Sequence, residues 1–143
     1  FLHGGMWHLI FNMFGLWMFG RVVERQWGAR RYLLYYFVCV VGAALVHLCA
    51  SAMVGHGQFT VGASGGVLGI VLAFGMMFPE VRLMVFPIPY PIKAKWAIVG
   101  FIVISISLGI TDAVPSIAHF AHLGGMLFGW LMIKHWRRNK HGF

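Results

Sequence analysis

Four polar side chains stand out against an apolar background: Ser64, His122, His8 and Asn12. A serine hydroxyl becomes a nucleophile at neutral pH only when a base removes its proton. It also needs donors for the oxyanion that forms on attack. His122 is the candidate base. His8, Asn12 and the backbone N–H of Ser64 are the candidate donors. His8 and Asn12 are four residues apart, so they share one helix face. Ser64 opens an apolar run, Ser64-Gly65-Gly66-Val67-Leu68-Gly69, and the first N–H groups of a helix have no partner within it. The acids are Glu24, Glu80 and Asp112. The first two fall in basic connections and the third in a turn, so the expected unit is a Ser–His dyad rather than a triad.

The elements that must position these groups are apolar. Of 143 residues, 60% are hydrophobic and 10% charged, against about a quarter charged in soluble domains. The length allows one domain, 1–143. Apolar segments fall at 6–24, 31–52, 64–78, 95–110 and 116–135. Most have or approach the roughly 20 residues that span hydrocarbon. The expected fold class is therefore all-α, a polytopic membrane helix bundle with five transmembrane helices.

The net charge of +8 reads as topology rather than nucleic-acid binding. Arg21, Arg25, Arg30 and Arg31 lie between the first two segments. Arg82, Lys93 and Lys95 lie between the third and fourth. Lys134, Arg137, Arg138 and Lys140 end the fifth segment or follow it, which accounts for all eleven cations. Residues 1–5, 51–63 and 110–115 carry none. This split places the basic connections in the cytoplasm and the Ser64 end outside, in a bacterial cytoplasmic membrane. Counting from the cytoplasmic ends at about 1.5 Å per residue, His8, His122 and Ser64 lie at roughly 20, 18 and 21 Å. Three helices thus bring three polar groups to one level.

Small residues supply the means of contact. Gly65 and Gly69 form one small-xxx-small pair and Gly125 and Gly129 another, the spacing that lets helix backbones approach closely in lipid. Other features read as structural. Glu24 is expected to pair with a neighbouring arginine, Trp27 to sit at the membrane interface, and His47 to be a buried or interfacial structural histidine. Cys39 and Cys49 are about 15 Å apart along one helix, too far to bridge, and read as small core residues. His3 lies near the outer end, and Gly55-His56-Gly57-Gln58 is an irregular loop. The proline-rich connection from Pro79 to Lys93 is expected to be an extended turn.

The three motifs together resemble the rhomboid family of intramembrane serine proteases. The resemblance runs over the whole chain: His8…Asn12 is similar to the family's His-xxx-Asn, Gly62-Ala63-Ser64-Gly65 to its Gly-x-Ser-Gly, and Ala121-His122-Leu123-Gly124-Gly125 to its Ala-His-x-x-Gly. It implies a Ser64–His122 dyad with His8 and Asn12 at the oxyanion site, transmembrane protein substrates cut near their outer ends, and no metal or cofactor. It also implies a six-helix core of which this chain supplies five, the first helix and its long loop being absent, in keeping with the Phe1 start. The family's Glu-x-Arg is met here by Glu24-Arg25-Gln26, and Leu68 stands where some members place an aromatic. Three rival readings remain. Gly62-Ala63-Ser64-Gly65-Gly66 also fits the Gly-x-Ser-x-Gly elbow of α/β-hydrolases. His119-x-x-His122 is half a metal site. A rhomboid-like protein without protease activity would bind and escort transmembrane clients.

Overall fold

The computed structural model describes residues 6–54, 63–84, 89–110 and 116–139. The elements are α1 (Met6–Gly15), a π-helical turn (Leu16–Gly20), α2 (Arg21–Trp27), α3 (Ala29–Val54), α4 (Ser64–Met77), β1 (Arg82–Met84), β2 (Pro91–Lys93), α5 (Ala94–Ile110) and α6 (Ser116–Arg138). Helices cover all five apolar segments, with ends moved by a few residues. The first departs most from expectation. Gly15 and Gly20 both keep right-handed helical angles, so α1, the π turn and α2 form one rod that ends at Trp27 rather than at residue 24. It stops at Gly28, whose φ of +78° favours glycine. There the Gly28 N–H donates to the Glu24 carbonyl at 2.7 Å.

By length and composition, one helix among the described residues is long and apolar enough to cross a membrane, Ala29–Met53. Ser64–Met77 and Ala94–Ile104 are shorter apolar helices. Five helical segments of unequal length thus stand where five spans are expected, and one of them has the length and composition of a membrane span. At 1.5 Å per residue the 14 residues of α4 reach only about 21 Å.

The core is a sandwich of α3, α4 and α6, built on glycine. A Cβ added to Gly66 would lie 2.6 Å from Tyr36 and Val40 side-chain atoms of α3. One added to Gly124 would lie 2.7 Å from Val46, and one added to Gly129 3.0 Å from Cys39 Sγ. Side chains of α3 thus fill space that only a missing Cβ leaves open. The buried stripe of α3 is Tyr35, Cys39, Ala43 and His47, at steps of four. Cys49, expected in the core, is exposed on the outer side of the same helix. The Tyr35 hydroxyl donates to the Gly69 carbonyl at 2.8 Å in this buried layer. Tyr35→Phe is expected to lower unfolding free energy by about 1 kcal/mol, the worth of one such bond, measured by denaturant titration in detergent.

At the arginine-rich end Trp27 is buried within the protein. Its ring stands edge-on to Tyr35 at 5.0 Å and to Trp136 at 5.3 Å, and Arg31 lies over Trp136. The proline-rich connection is extended, as expected, but also paired: β1 and β2 run antiparallel, with Arg82 opposite Lys93 and Met84 opposite Pro91. Residues 85–88 between them lie outside the described set.

The expected Glu24–arginine pair does not form. Among the described residues the ion pairs belong to Glu80, which receives Lys93 at 2.6 Å and also Lys95. Hydrogen bonds from both ammonium groups lower the Glu80 pKa to about 2. A depressed carboxylate contributes stability above its unfolded value, near 4.5, and that stability is lost as pH falls toward 2. The group is exposed, so the effect is small. Thermal unfolding of wild type and Glu80→Gln is expected to differ at pH 6 and to converge near pH 2.

Candidate active site

Ser64 is the first residue of α4, preceded by Ala63 at φ −59°, ψ −9°. Gly65 and Gly66, which follow, are buried. Their lack of side chains lets α4 enter the bundle directly at the serine. His122 lies two turns into α6, on the side that meets α4. Its Nε2 is 2.9 Å from Ser64 Oγ, a hydrogen-bond distance and within reach for proton transfer. Both residues are half-buried. When Nε2 is unprotonated the serine hydroxyl donates to it, which is the geometry of a base about to accept that proton.

Backbone contact holds the pair. A Cβ on Gly125 would lie 2.7 Å from the carbonyl carbon of Gly65 and 2.9 Å from its Cα. Gly65 directly follows Ser64, and Gly125 is one turn beyond His122. A Cβ on Gly69 would also meet the Gly125 carbonyl oxygen at 3.5 Å. Since Gly65 meets Ala121 and Gly69 meets Gly125, the two helices run parallel. Their far ends meet as well: Arg137 donates to the Met76 carbonyl at 3.3 Å, so α6 touches α4 at both ends. On the other side Gly65 rests on Ala43 of α3. The small-xxx-small pairs read from the sequence therefore lie where α4 and α6 bring Ser64 and His122 into contact.

Asn12 is buried, with 8% of its surface exposed. Two contacts set its level. A Cβ on Gly15 would lie 3.0 Å from Val67, and Phe19 packs edge-on against Phe74 at 4.9 Å. The first rod and α4 therefore run parallel. Asn12 precedes Gly15 by three residues, as Ser64 precedes Val67, which puts Asn12 and Ser64 at one height on facing helices. His8, expected at the level of Ser64, lies one turn earlier on α1, since Asn12 is the residue that stands level with the serine; the His8 side chain is outside the described residues, as is that of His119. His3, His56 and Gly62 are likewise outside them.

Leu68 packs with the Leu72, Ile98 and Met126 cluster. His47, expected to be a buried or interfacial structural histidine, lies on the buried stripe of α3. His47, 2% exposed, is one turn from Ala43, which backs Gly65, and next to Val46, which backs Gly124. Its signal was the four-residue spacing of Tyr35, Cys39, Ala43 and His47 in an otherwise apolar helix.

A family model, the Rhomboid domain, matches residues 1–138. The chain is 30% identical to Rhomboid protein 1, mitochondrial, of Saccharomyces cerevisiae, over 94% of this chain and 40% of that protein. It is 32% identical to RHOMBOID-like protein 4 of Arabidopsis thaliana, over 92% of this chain and 31% of that one. It is 30% identical to the rhomboid protease GluP of Bacillus subtilis, over 90% and 23%. The chain thus spans between 23% and 40% of the length of these relatives. No solved structure gave a significant match.

Proposed function

The chain belongs to the rhomboid family, and from that premise we propose that its parent protein is an intramembrane serine endopeptidase acting on transmembrane protein substrates. Ser64 attacks the scissile carbonyl while His122 takes its proton, then returns a proton to the leaving amine. The Ser64 N–H, Asn12 and His8 donate to the oxyanion. Water then releases the acyl-enzyme by the same route. The observation that carries this reading is the 2.9 Å contact between Ser64 Oγ and His122 Nε2.

The membrane setting is part of the proposal. Residues 1–143 form one rhomboid-like domain with five spans of a six-helix core, in the bacterial cytoplasmic membrane. The basic connections face the cytoplasm, as the one-sided cations favour. α4 is too short for a hydrocarbon core of about 30 Å, and that supports the placement of its serine. Irregular backbone is tolerated at membrane depth only where protein or a water-filled cavity surrounds it. A helix that begins at Ser64, flanked by α3 and α6, meets that condition and brings the hydroxyl below the outer surface, where hydrolytic water must also enter.

The test is covalent labelling of the full-length protein in detergent by a fluorophosphonate probe, beside cleavage of a transmembrane substrate. Labelling is expected in wild type and absent in Ser64→Ala, with a steep fall in His122→Ala. Normal cleavage by Ser64→Ala would overturn the mechanism. Client binding by wild type, with neither labelling nor cleavage, would favour the escort role instead.

A further inference from the structure

A second site lies on the side of α6 turned away from the serine. Phe120, Leu123, Leu127 and Trp130 of α6, with Ile102 and Ile106 of α5, line an open groove of about 470 Å³. Leu127 is 50% exposed and Trp130 40%. The α6 residues follow steps of three and four, one helix face, and Lys134 continues that face by one turn. Its Nζ sits 4.8 Å from the centroid of the Trp130 ring. The groove is thus apolar along its length, and the Trp130 ring that lines it carries a cation on its face.

We propose that this groove binds one acyl chain of an anionic phospholipid whose phosphate pairs with Lys134. Two features select that occupant over a second copy of the chain or a substrate helix. The first is charge. Among the described residues the ion pairs are those of Glu80 with Lys93 and Lys95, so no described carboxylate is paired with Lys134. A phospholipid brings an anion fixed at the end of an apolar chain, the order in which Lys134 and the groove are arranged. The second is length. Phe120 to Trp130 is ten residues, about 15 Å, half of a hydrocarbon core of roughly 30 Å and so the depth of one leaflet. Basic positions between helices on the cytoplasmic side are where anionic head groups are recognised. The inference rests on the bilayer placement proposed above but not on proteolysis.

Lipid retention by the full-length protein, made as Ser64→Ala so that no turnover intervenes, tests it. Native mass spectrometry would follow phosphatidylglycerol and phosphatidylcholine titrated into the detergent. Phosphatidylglycerol is expected to bind more tightly. Lys134→Gln is expected to weaken it about fivefold, equivalent to the roughly 1 kcal/mol of one basic residue at an anionic surface, and to leave phosphatidylcholine unchanged. Lys134→Arg should restore the preference. Leu127→Trp, which fills the groove, should displace both lipids. An undiminished preference in Lys134→Gln, or full retention by a folded Leu127→Trp protein, would overturn the proposal. So would crosslinking of Leu127→Cys to a second copy or to a substrate helix in phosphatidylglycerol vesicles. Loss of proteolysis alone would not bear on it.

Discussion

In the full-length protein, His122→Ala is expected to lower kcat on a transmembrane substrate by about 10⁴- to 10⁶-fold, the range seen when a hydrolase serine loses its base. KM should change little, because the imidazole contacts the reacting serine rather than the body of the substrate. The reason is the 2.9 Å contact to Ser64 Oγ; without it the hydroxyl keeps its proton at neutral pH. Ser64→Ala should fall as far, and the double variant no further, since the two act as one unit. Asn12→Ala should be milder, about 10²- to 10³-fold, as expected for one oxyanion donor. Single-turnover kinetics in detergent or liposomes would read all four. Additive losses in the double variant would mean that the two residues do not act together.

The second large effect concerns a residue with no side chain. Gly125→Ala would put a methyl group 2.7 and 2.9 Å from backbone atoms of Gly65. Neither neighbour is a flexible side chain, so the helices themselves must part. Gly65 adjoins Ser64 and Gly125 is one turn from His122, so the parting is passed on to the hydrogen bond between them. A misplacement of about 1 Å costs roughly 10²-fold in rate. Gly125→Ala is therefore expected to lose about that much activity while remaining folded. Gly100→Ala is the matched control: nothing lies within 4 Å of a Cβ built there. In mid-helix α5 that change should leave activity intact and add about 0.5–1 kcal/mol of stability. Equal effects of the two substitutions would show that helix separation does not govern the rate.

Hydropathy located the helices, because a run of apolar residues bounded by arginine or proline has few other ways to fold. The serine, the histidine and the glycines could be picked out for a related reason. Polar or minimal side chains in such runs are costly or loosely packed unless something compensates. What could not be read was mutual. The π turn at Leu16–Gly20 leaves no mark in composition. The sequence around Trp27 gives no sign that its ring packs edge-on against both Tyr35 and Trp136. Glu24 has arginines beside it in sequence, yet it is Glu80 that pairs, with Lys93 and Lys95 brought back to it by the β1–β2 strand pair. Cys39 and Cys49 look alike in the sequence, and only the facing of α3 separates the buried thiol from the exposed one. The central position of α3 was the largest omission. Its glycine partners could be counted, but which helix fills them is a matter of three-dimensional order.

The sandwich also has a consequence for biogenesis. Tyr35 of α3 and Gly129 of α6 are neighbours in space but are made 94 residues apart. A nascent chain that has delivered α3 and α4 to the translocon holds Ser64 without His122 and without the α6 glycines that face it. Only α6 supplies both at once. On the protease reading, a copy that still lacks α6 is chemically silent toward the other proteins threading through the same pore, and competence waits for that helix.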